Sequence, residues 1–226
     1  MLPGRFILGL GTGDNLNEHI LGDRWPPAPV RTEMLEEAVE IIRALWQGGM
    51  KRYYGYFFTV ENAQVFTLPE MLPPIMIAAE GPISASMAGR IGDGFINAGH
   101  EAEKSLLAFR DTGGEGKPAY LEISVCWGET EETARRTAYE EWPISANTGE
   151  MNRILPTPAH YEQIAKMATE EDVAAHVPCG PDPEPMIKKV EEGIRKGFEN
   201  ICIHQIGEQQ REFLEFAKKE ILPQFI

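Results

Sequence analysis

The chain has 226 residues, enough for one large α/β domain with a sizeable buried core. Its 21 Lys and Arg against 35 Asp and Glu leave a net charge of -14, and no run of basic residues interrupts that balance, which argues against a nucleic-acid or anionic-membrane partner. No apolar stretch is long enough to span a bilayer, and the three cysteines, Cys126, Cys179 and Cys202, are too few and too scattered for a zinc motif or a disulfide framework.

In chain order, Arg5 to Leu10 reads as a short apolar strand running into Gly11-Thr12-Gly13-Asp14-Asn15-Leu16-Asn17-Glu18-His19. Glycines flanking a threonine allow close backbone approach to a ligand, and Asp14, Asn17 and His19 place an acid, an amide and an imidazole beyond the strand's C-terminal end. In parallel α/β folds that end binds ligands. Leu35, Ala38, Ile42 and Leu45 then mark one face of an amphipathic helix within Val30 to Trp46. Tyr53-Tyr54-Gly55-Tyr56-Phe57-Phe58-Thr59-Val60 reads as a small hairpin appended near residues 51–66.

Pro73-Pro74 delivers the chain into a buried-strand run, Ile75 to Ala79, closed by Glu80-Gly81-Pro82, and a helix follows through Ser84 to Gly89. Gly94 to Ala98 and Leu121 to Trp127 are the next strands. A charged helix from Glu129 to Glu141 leads into a lid-like loop near residues 142–160, then a helix from His160. Thr169 to Asp172 opens a turn in the manner of a capping box. The last unit is a helix from Pro185 to Lys196 stopped by Gly197, a strand from Asn200 to His204 and a helix from Gln209 to Leu222. Cys126 and Cys202 fall inside apolar strands, where a buried, inert, reduced thiol is expected, in keeping with a cytoplasmic protein.

Alternating strands and helices imply a parallel sheet, either open and doubly wound or closed as a (β/α)₈ barrel. The count of main strands, at 5–10, 75–79, 94–98, 121–127 and 200–204, falls short of the eight a closed barrel needs.

Four phrases, Gly9 to His19, Gly22-Asp23-Arg24-Trp25-Pro26, Ala78-Ala79-Glu80-Gly81-Pro82 and Ala88 to Phe95, resemble the luciferase-like superfamily in order and spacing. The resemblance continues through Trp142-Pro143, Pro178 to Pro183, His204-Gln205-Ile206-Gly207 and Phe213 to Phe216, and is narrowest to the F420-dependent oxidoreductases related to F420-dependent glucose-6-phosphate dehydrogenase. It implies a luciferase-like (β/α)₈ TIM barrel in which Gly11-Thr12-Gly13 ends the fourth strand, so the chain reads as strands four to eight of an incomplete barrel within one domain, 1–226.

On the same resemblance, Thr12, Gly13 and Asn17 match positions on the deazaflavin ring, and Glu80, Gly81 and Ile83 match those holding the cofactor's phosphate-bearing tail. Asp14 matches the family's proton-handling glutamate, one methylene shorter. Neither His19 nor His100 matches the family's catalytic histidine by motif, and no lysine follows Gly94-Phe95-Ile96 until Lys104. The implied activity is hydride transfer between coenzyme F420 and an alcohol, carbonyl or sugar-type substrate. The alternatives are an FMN-dependent monooxygenase of the same superfamily, or a non-catalytic barrel fragment that needs a partner chain. No metal is expected, and the implied association is a homodimer or a complex with the missing N-terminal segment.

Overall fold

The computed structural model describes residues 4–99, 101–147, 149 and 151–225, so His100, and Thr148 and Glu150 of the 142–160 loop, lie outside the described residues. The order begins with β1 (Leu8–Leu10), α1 (Asn15–Glu18), α2 (Ala28–Trp46), β2 (Lys51–Tyr54) and β3 (Thr59–Ala63). It continues with β4 (Ile75–Ala78), α3 (Pro82–Ile91), β5 (Gly94–Asn97), α4 (Ala102–Phe109), β6 (Ala119–Val125) and α5 (Glu131–Glu141). Then come α6 (Met151–Ile154), α7 (Pro158–Ala165), α8 (Glu170–Ala174), α9 (Glu184–Arg195), β7 (Asn200–Gln205) and α10 (Gln210–Phe216). The chain divides into two compact units, the first made of Met1–Gly13, Pro26–Asn97 and Glu101–Ala119, the second of Asp14–Trp25, Ala98–His100 and Tyr120–Ile226.

In the first unit β4 lies between β1 and β5, parallel to both. β1 is shorter than the apolar run that predicts it. Leu8 pairs with Ile75, and the residues before Leu8 would face Pro73 and Pro74, of which neither has an N–H to give a ladder. Ile75, Met76 and Ile77 are all buried, as expected of a strand covered on both faces. Asp93 closes its N-terminal end: Ile75 N donates to Asp93 Oδ2 at 2.9 Å, Asp93 N donates to Ile75 O at 2.7 Å, and Arg43 of α2 pairs with Asp93 Oδ1 at 2.8 Å.

Close packing fixes α3 over this sheet. A Cβ on Gly89 would sit 2.5 Å from both Phe109 O and Thr112 Oγ1, so only glycine lets α3 and α4 approach this closely. The stacked rings of Phe95 and Phe109, 5.0 Å apart, fill the space beneath. Helix α4 is absent from the strand and helix rhythm set out above, although its buried Ala102, Ser105, Leu106 and Phe109 follow helical spacing.

On α2 the buried face runs through Arg31, Leu35, Val39 and Ile41, rotated from the predicted stripe, which leaves Ala38, Ile42 and Leu45 half-buried. The flank of α2 carries the hairpin. Glu37 accepts hydrogen bonds from the backbone N–H groups of Tyr56 (3.0 Å), Phe57 (3.1 Å) and Phe58 (2.7 Å). Gly55 leaves room for this arrangement, since an added Cβ would fall 1.9 Å from Glu37 Oε1 and displace the carboxylate. Desolvation opposes the ionisation of Glu37, but the three amide bonds outweigh it and hold its pKa below the ordinary value.

In the second unit β6 and β7 run parallel from Tyr120 opposite Asn200 to Val125 opposite Gln205. Helix α9 lies close against them, since a Cβ on Gly193 would meet both Ile201 and Leu121 at 2.8 Å. Gln205, nearly inaccessible, seals the strand ends: its Oε1 accepts from Trp127 N at 2.8 Å and its Nε2 donates to Ile206 O at 2.7 Å. The capping box at α8 forms as predicted, with Thr169 N donating to Asp172 Oδ2 at 2.9 Å and Asp172 N to Thr169 Oγ1 at 3.2 Å. Cys126, Ala134, Ala138, Val173, Val177 and Ile206 form one apolar cluster, and Val125, Met186, Phe213, Ala217 and Ile221 another.

The cysteines divide. Burial pushes the Cys126 thiol up to about 12 and Cys179 up to about 11, so both stay protonated. Cys202 is exposed, contrary to the buried role expected from its apolar strand, because strand alternation sends Ile201 and Ile203 to one face of β7 and Cys202 to the other. Among the described residues no helix is long and apolar enough to cross a membrane, and no group of three or more His, Cys, Asp or Glu could hold a metal ion.

At neutral pH iodoacetamide should modify Cys202 of the native chain and leave Cys126 and Cys179 intact, as read by peptide mass spectrometry; equal modification of Cys126 would contradict its burial. Because the folded pKa of Glu37 lies below its unfolded one, its contribution to stability is present above the ordinary carboxylate value and is lost as pH falls through the lowered one. Glu37→Gln should therefore lower the thermal midpoint at pH about 7, with the deficit closing as pH approaches about 3, whereas a deficit constant with pH would show that the charge is irrelevant.

Candidate functional site

The first unit brings five of the predicted positions to one edge. β1 and β4 are parallel neighbours, with Leu10 opposite Ile77, so the loop Gly11-Thr12-Gly13 and the loop Ala79-Glu80-Gly81 leave the same C-terminal edge of the strands. Gly11 passes close enough to β4 that a Cβ would lie 3.6 Å from Ala78 Cβ. Gly13 has φ of 77°, in the left-handed region, and turns the chain away directly after Thr12. Thr12 is half-buried and Gly13 exposed.

Across this edge, α3 begins at Pro82, with Gly81 extended before it. The first amide to bond back into the helix is Ala85 N, which donates to Gly81 O at 2.9 Å. The N–H groups of Ile83 and Ser84 therefore belong to the first turn, where no carbonyl of the helix itself is within reach. Ile83 is 84% exposed, and nothing lies within 4 Å of where a Cβ on Gly81 would stand. The helix dipole adds partial positive charge at the same place, which suits an anion.

Hydrogen bonds from neighbouring elements fix this edge. Ala79 N donates to Ile96 O at 2.9 Å, buried Asn97 donates through Nδ2 to Ala79 O at 2.9 Å, and Ser105 Oγ donates to Glu80 O at 3.2 Å. Glu80 itself is half-buried and already engaged within the chain. Lys104, the first lysine after β5, is tied to Glu101 Oε1 at 2.8 Å, which satisfies its charge locally.

Asp14 and Asn17 open the second unit. Asp14 stands at the N-terminus of α1, where its carbonyl accepts from Asn17 N at 3.0 Å and Glu18 N at 3.1 Å. Its carboxylate makes no capping bond, unusual for an aspartate in that position, and so remains available for other chemistry. Asn17 is exposed. A neighbour that no motif announces is Tyr161 of α7, whose pKa is raised first by burial and then by the charge of Asp14. Its hydroxyl donates to Asn152 O. Asn15 Nδ2 donates to Ile154 O at 2.8 Å, so α1 is pinned to α6.

The two described histidines singled out by sequence are occupied structurally. His19 turns Nδ1 back to Leu16 O at 2.8 Å. His204 stands opposite Ser124, with Nδ1 3.3 Å from its hydroxyl, and lies edge-on to Trp142 with ring centres 5.2 Å apart.

Comparison with known proteins bears on the family and the fold. The sequence model of the family described as luciferase-like monooxygenase matches residues 1–200. The F420-dependent glucose-6-phosphate dehydrogenase of Microbacterium testaceum is 33% identical over an alignment covering 99% of this chain and 69% of that protein. The enzyme of the same name from Mycolicibacterium smegmatis is 32% identical, over 99% of this chain and 70% of its own. Among solved structures, an F420-dependent secondary alcohol dehydrogenase in complex with an F420-acetone adduct superposes with a TM-score of 0.86 at 23% identity, covering 99% of this chain and 70% of that one. The coenzyme F420 dependent tetrahydromethanopterin reductase of Methanopyrus kandleri does so with a TM-score of 0.76 at 18% identity, over 99% and 75% of the respective chains.

Proposed function

The chain belongs to the luciferase-like monooxygenase family and has its α/β fold, and on that premise we propose that it is an F420-dependent oxidoreductase acting between an alcohol and the corresponding carbonyl. The observation that supports this reading most is the shared C-terminal edge of β1 and β4, where a glycine-lined turn lies beside the start of α3. Those residues fit a flat heterocycle with an anionic tail. Thr12 offers a hydroxyl and Gly13 an approachable backbone to the polar edge of the ring, and Asn17 is the third residue assigned to it. Gly81 leaves room for the tail, and the Ile83 N–H, with the α3 dipole behind it, suits a phosphate. Glu80 is half-buried, and a carboxylate aimed at that phosphate would weaken binding, so the reading requires it to point away from the tail.

Bound F420 supplies a carbon that accepts or releases a hydride. The protein's own part is to hold the substrate and manage the proton. As an alcohol loses a hydride from carbon, its oxygen must also lose a proton, and Asp14 is the acid or base assigned to that transfer. Its carboxylate is free of the capping bond that would otherwise hold it, and the Tyr161 hydroxyl lies within its electrostatic reach. The curated relatives act on glucose 6-phosphate by name, and this chain has no lysine after Gly94-Phe95-Ile96 until Lys104, so a neutral alcohol fits this reading better than a sugar phosphate.

Asp14→Asn keeps the size of the side chain and removes its basicity. Reduction of F420 by a secondary alcohol, followed as loss of the oxidised cofactor's visible absorbance, should fall by about a hundredfold or more, while F420 affinity stays within about twofold. Undiminished turnover in the variant would remove Asp14 from the mechanism. Oxygen consumption with reduced FMN in place of F420 would point instead to a monooxygenase.

A further inference from the structure

Asp14 begins a turn that cannot hold itself. Helix α1 is four residues long, buries no side chain and has no side-chain cap, and a helix of that length is unstable unless neighbouring elements fix it. A bond from its first residue does so: Asn15 Nδ2 donates to Ile154 O at 2.8 Å, across 139 positions of sequence. Asn17 N and Glu18 N bond the Asp14 carbonyl at 3.0 Å and 3.1 Å, so the backbone that carries the Asp14 carboxylate moves with α1.

The anchor is as short as the turn it holds. Helix α6 also has four residues, and none of them is buried. Its Asn152 carbonyl accepts the hydroxyl of Tyr161, which belongs to the longer α7. Beyond α7 come the buried Ala168 and then α8, whose Val173 sits in the apolar cluster with Cys126, Ala134 and Ala138. Tyr161 therefore ties two marginal turns to a segment that reaches the core.

The state of its hydroxyl suits that task. Burial raises the Tyr161 pKa and the charge of Asp14 raises it further, so the phenol keeps its proton at neutral pH and stays a donor. That proton is given to a backbone carbonyl, which cannot pass it on, so the arrangement supports Asp14 rather than relaying protons to it.

We propose that Tyr161 is a positioning residue for the proton transfer assigned to Asp14: through Asn152 O, α6 and the Asn15 bond, its hydroxyl fixes the turn that carries the Asp14 carboxylate. The proposal rests on the role given to Asp14 above. A base must stand about 3 Å from the proton it takes, and a misplacement of about 1 Å can cost about a hundredfold in rate. Losing the tether therefore slows the chemical step. It changes F420 binding little, because of the residues assigned to the cofactor only Asn17 lies on α1.

Tyr161→Phe removes the hydroxyl and keeps the ring. With F420 and a secondary alcohol, kcat should fall about tenfold, while KM for the alcohol and F420 affinity stay within about threefold. In the Asp14→Asn background the same substitution should change kcat by less than about twofold, because its effect passes through the Asp14 carboxylate. Asn15→Ala cuts the tether at its other end. It should reproduce the loss, and the two substitutions together should cost no more than either alone. Hydrogen exchange of the chain without cofactor gives a readout independent of turnover: the amides of Asn17 and Glu18 should exchange about threefold faster or more in both variants, with those of β4 unchanged. Equal losses of kcat in the two Asp14 backgrounds, or unchanged exchange in α1, would overturn the proposal. Faster exchange in the variants of a chain that reduces no F420 would leave the tether standing and count against the proposed function instead.

Discussion

A strand buried on both faces has no water to satisfy its backbone, so every N–H and C=O at its two ends must find a partner within the protein. β4 is that strand here, and each of its ends is closed by side chains as well as by the ladder. Asp93 serves the N-terminal end, held in turn by Arg43. Asn97 takes the carbonyl of Ala79 and Ser105 that of Glu80 at the C-terminal end. The same bonds that make the strand tolerable in the interior fix the loop from which Gly81 and α3 start. The edge assigned to the cofactor is thus held by hydrogen bonds of about 3 Å rather than left to a mobile loop.

The second unit uses a different device for the same problem. Gln205 spends both ends of its amide on the backbone where β6 and β7 finish, and Gln210 covers the carbonyl of Gln205 itself at 3.0 Å. His204, next to Gln205, turns to the opposite face and meets Ser124 and Trp142. The phrase His204-Gln205-Ile206-Gly207 therefore combines a structural residue with one on the other face of the strand. In the same way, Gly92-Asp93-Gly94 within the phrase Ala88 to Phe95 is structural: Asp93 closes β4, and a Cβ on Gly94 would lie 2.2 Å from Met76 Sδ. In both phrases the work of Asp93 and Gln205 is backbone closure rather than chemistry.

Which features were legible in the sequence follows from the range of the forces involved. The strands at 75, 94, 121 and 200, the proline start of α3 and the Thr169 capping box are local patterns, and each stands within two residues of its predicted place. The first strand was overestimated because its length is limited by two prolines far along the chain on its partner. Cys202 was misplaced because an apolar strand run does not say which face is covered. Helix α4 is legible in the spacing of Ala102, Ser105, Leu106 and Phe109. For the site, the glycine and threonine turn and the helix start announce themselves by residue type. Tyr161 does not, since its proximity to Asp14 arises from contacts that only the fold creates.

The proposed activity depends above all on the C-terminal edge of β1 and β4 being a deazaflavin site. Titrating the purified chain with oxidised F420 while following the cofactor's fluorescence, with FMN as the parallel control, tests this most directly. Saturable binding of F420 in the micromolar range, and none of FMN, is the predicted result; absence of F420 binding, or preference for FMN, would contradict it.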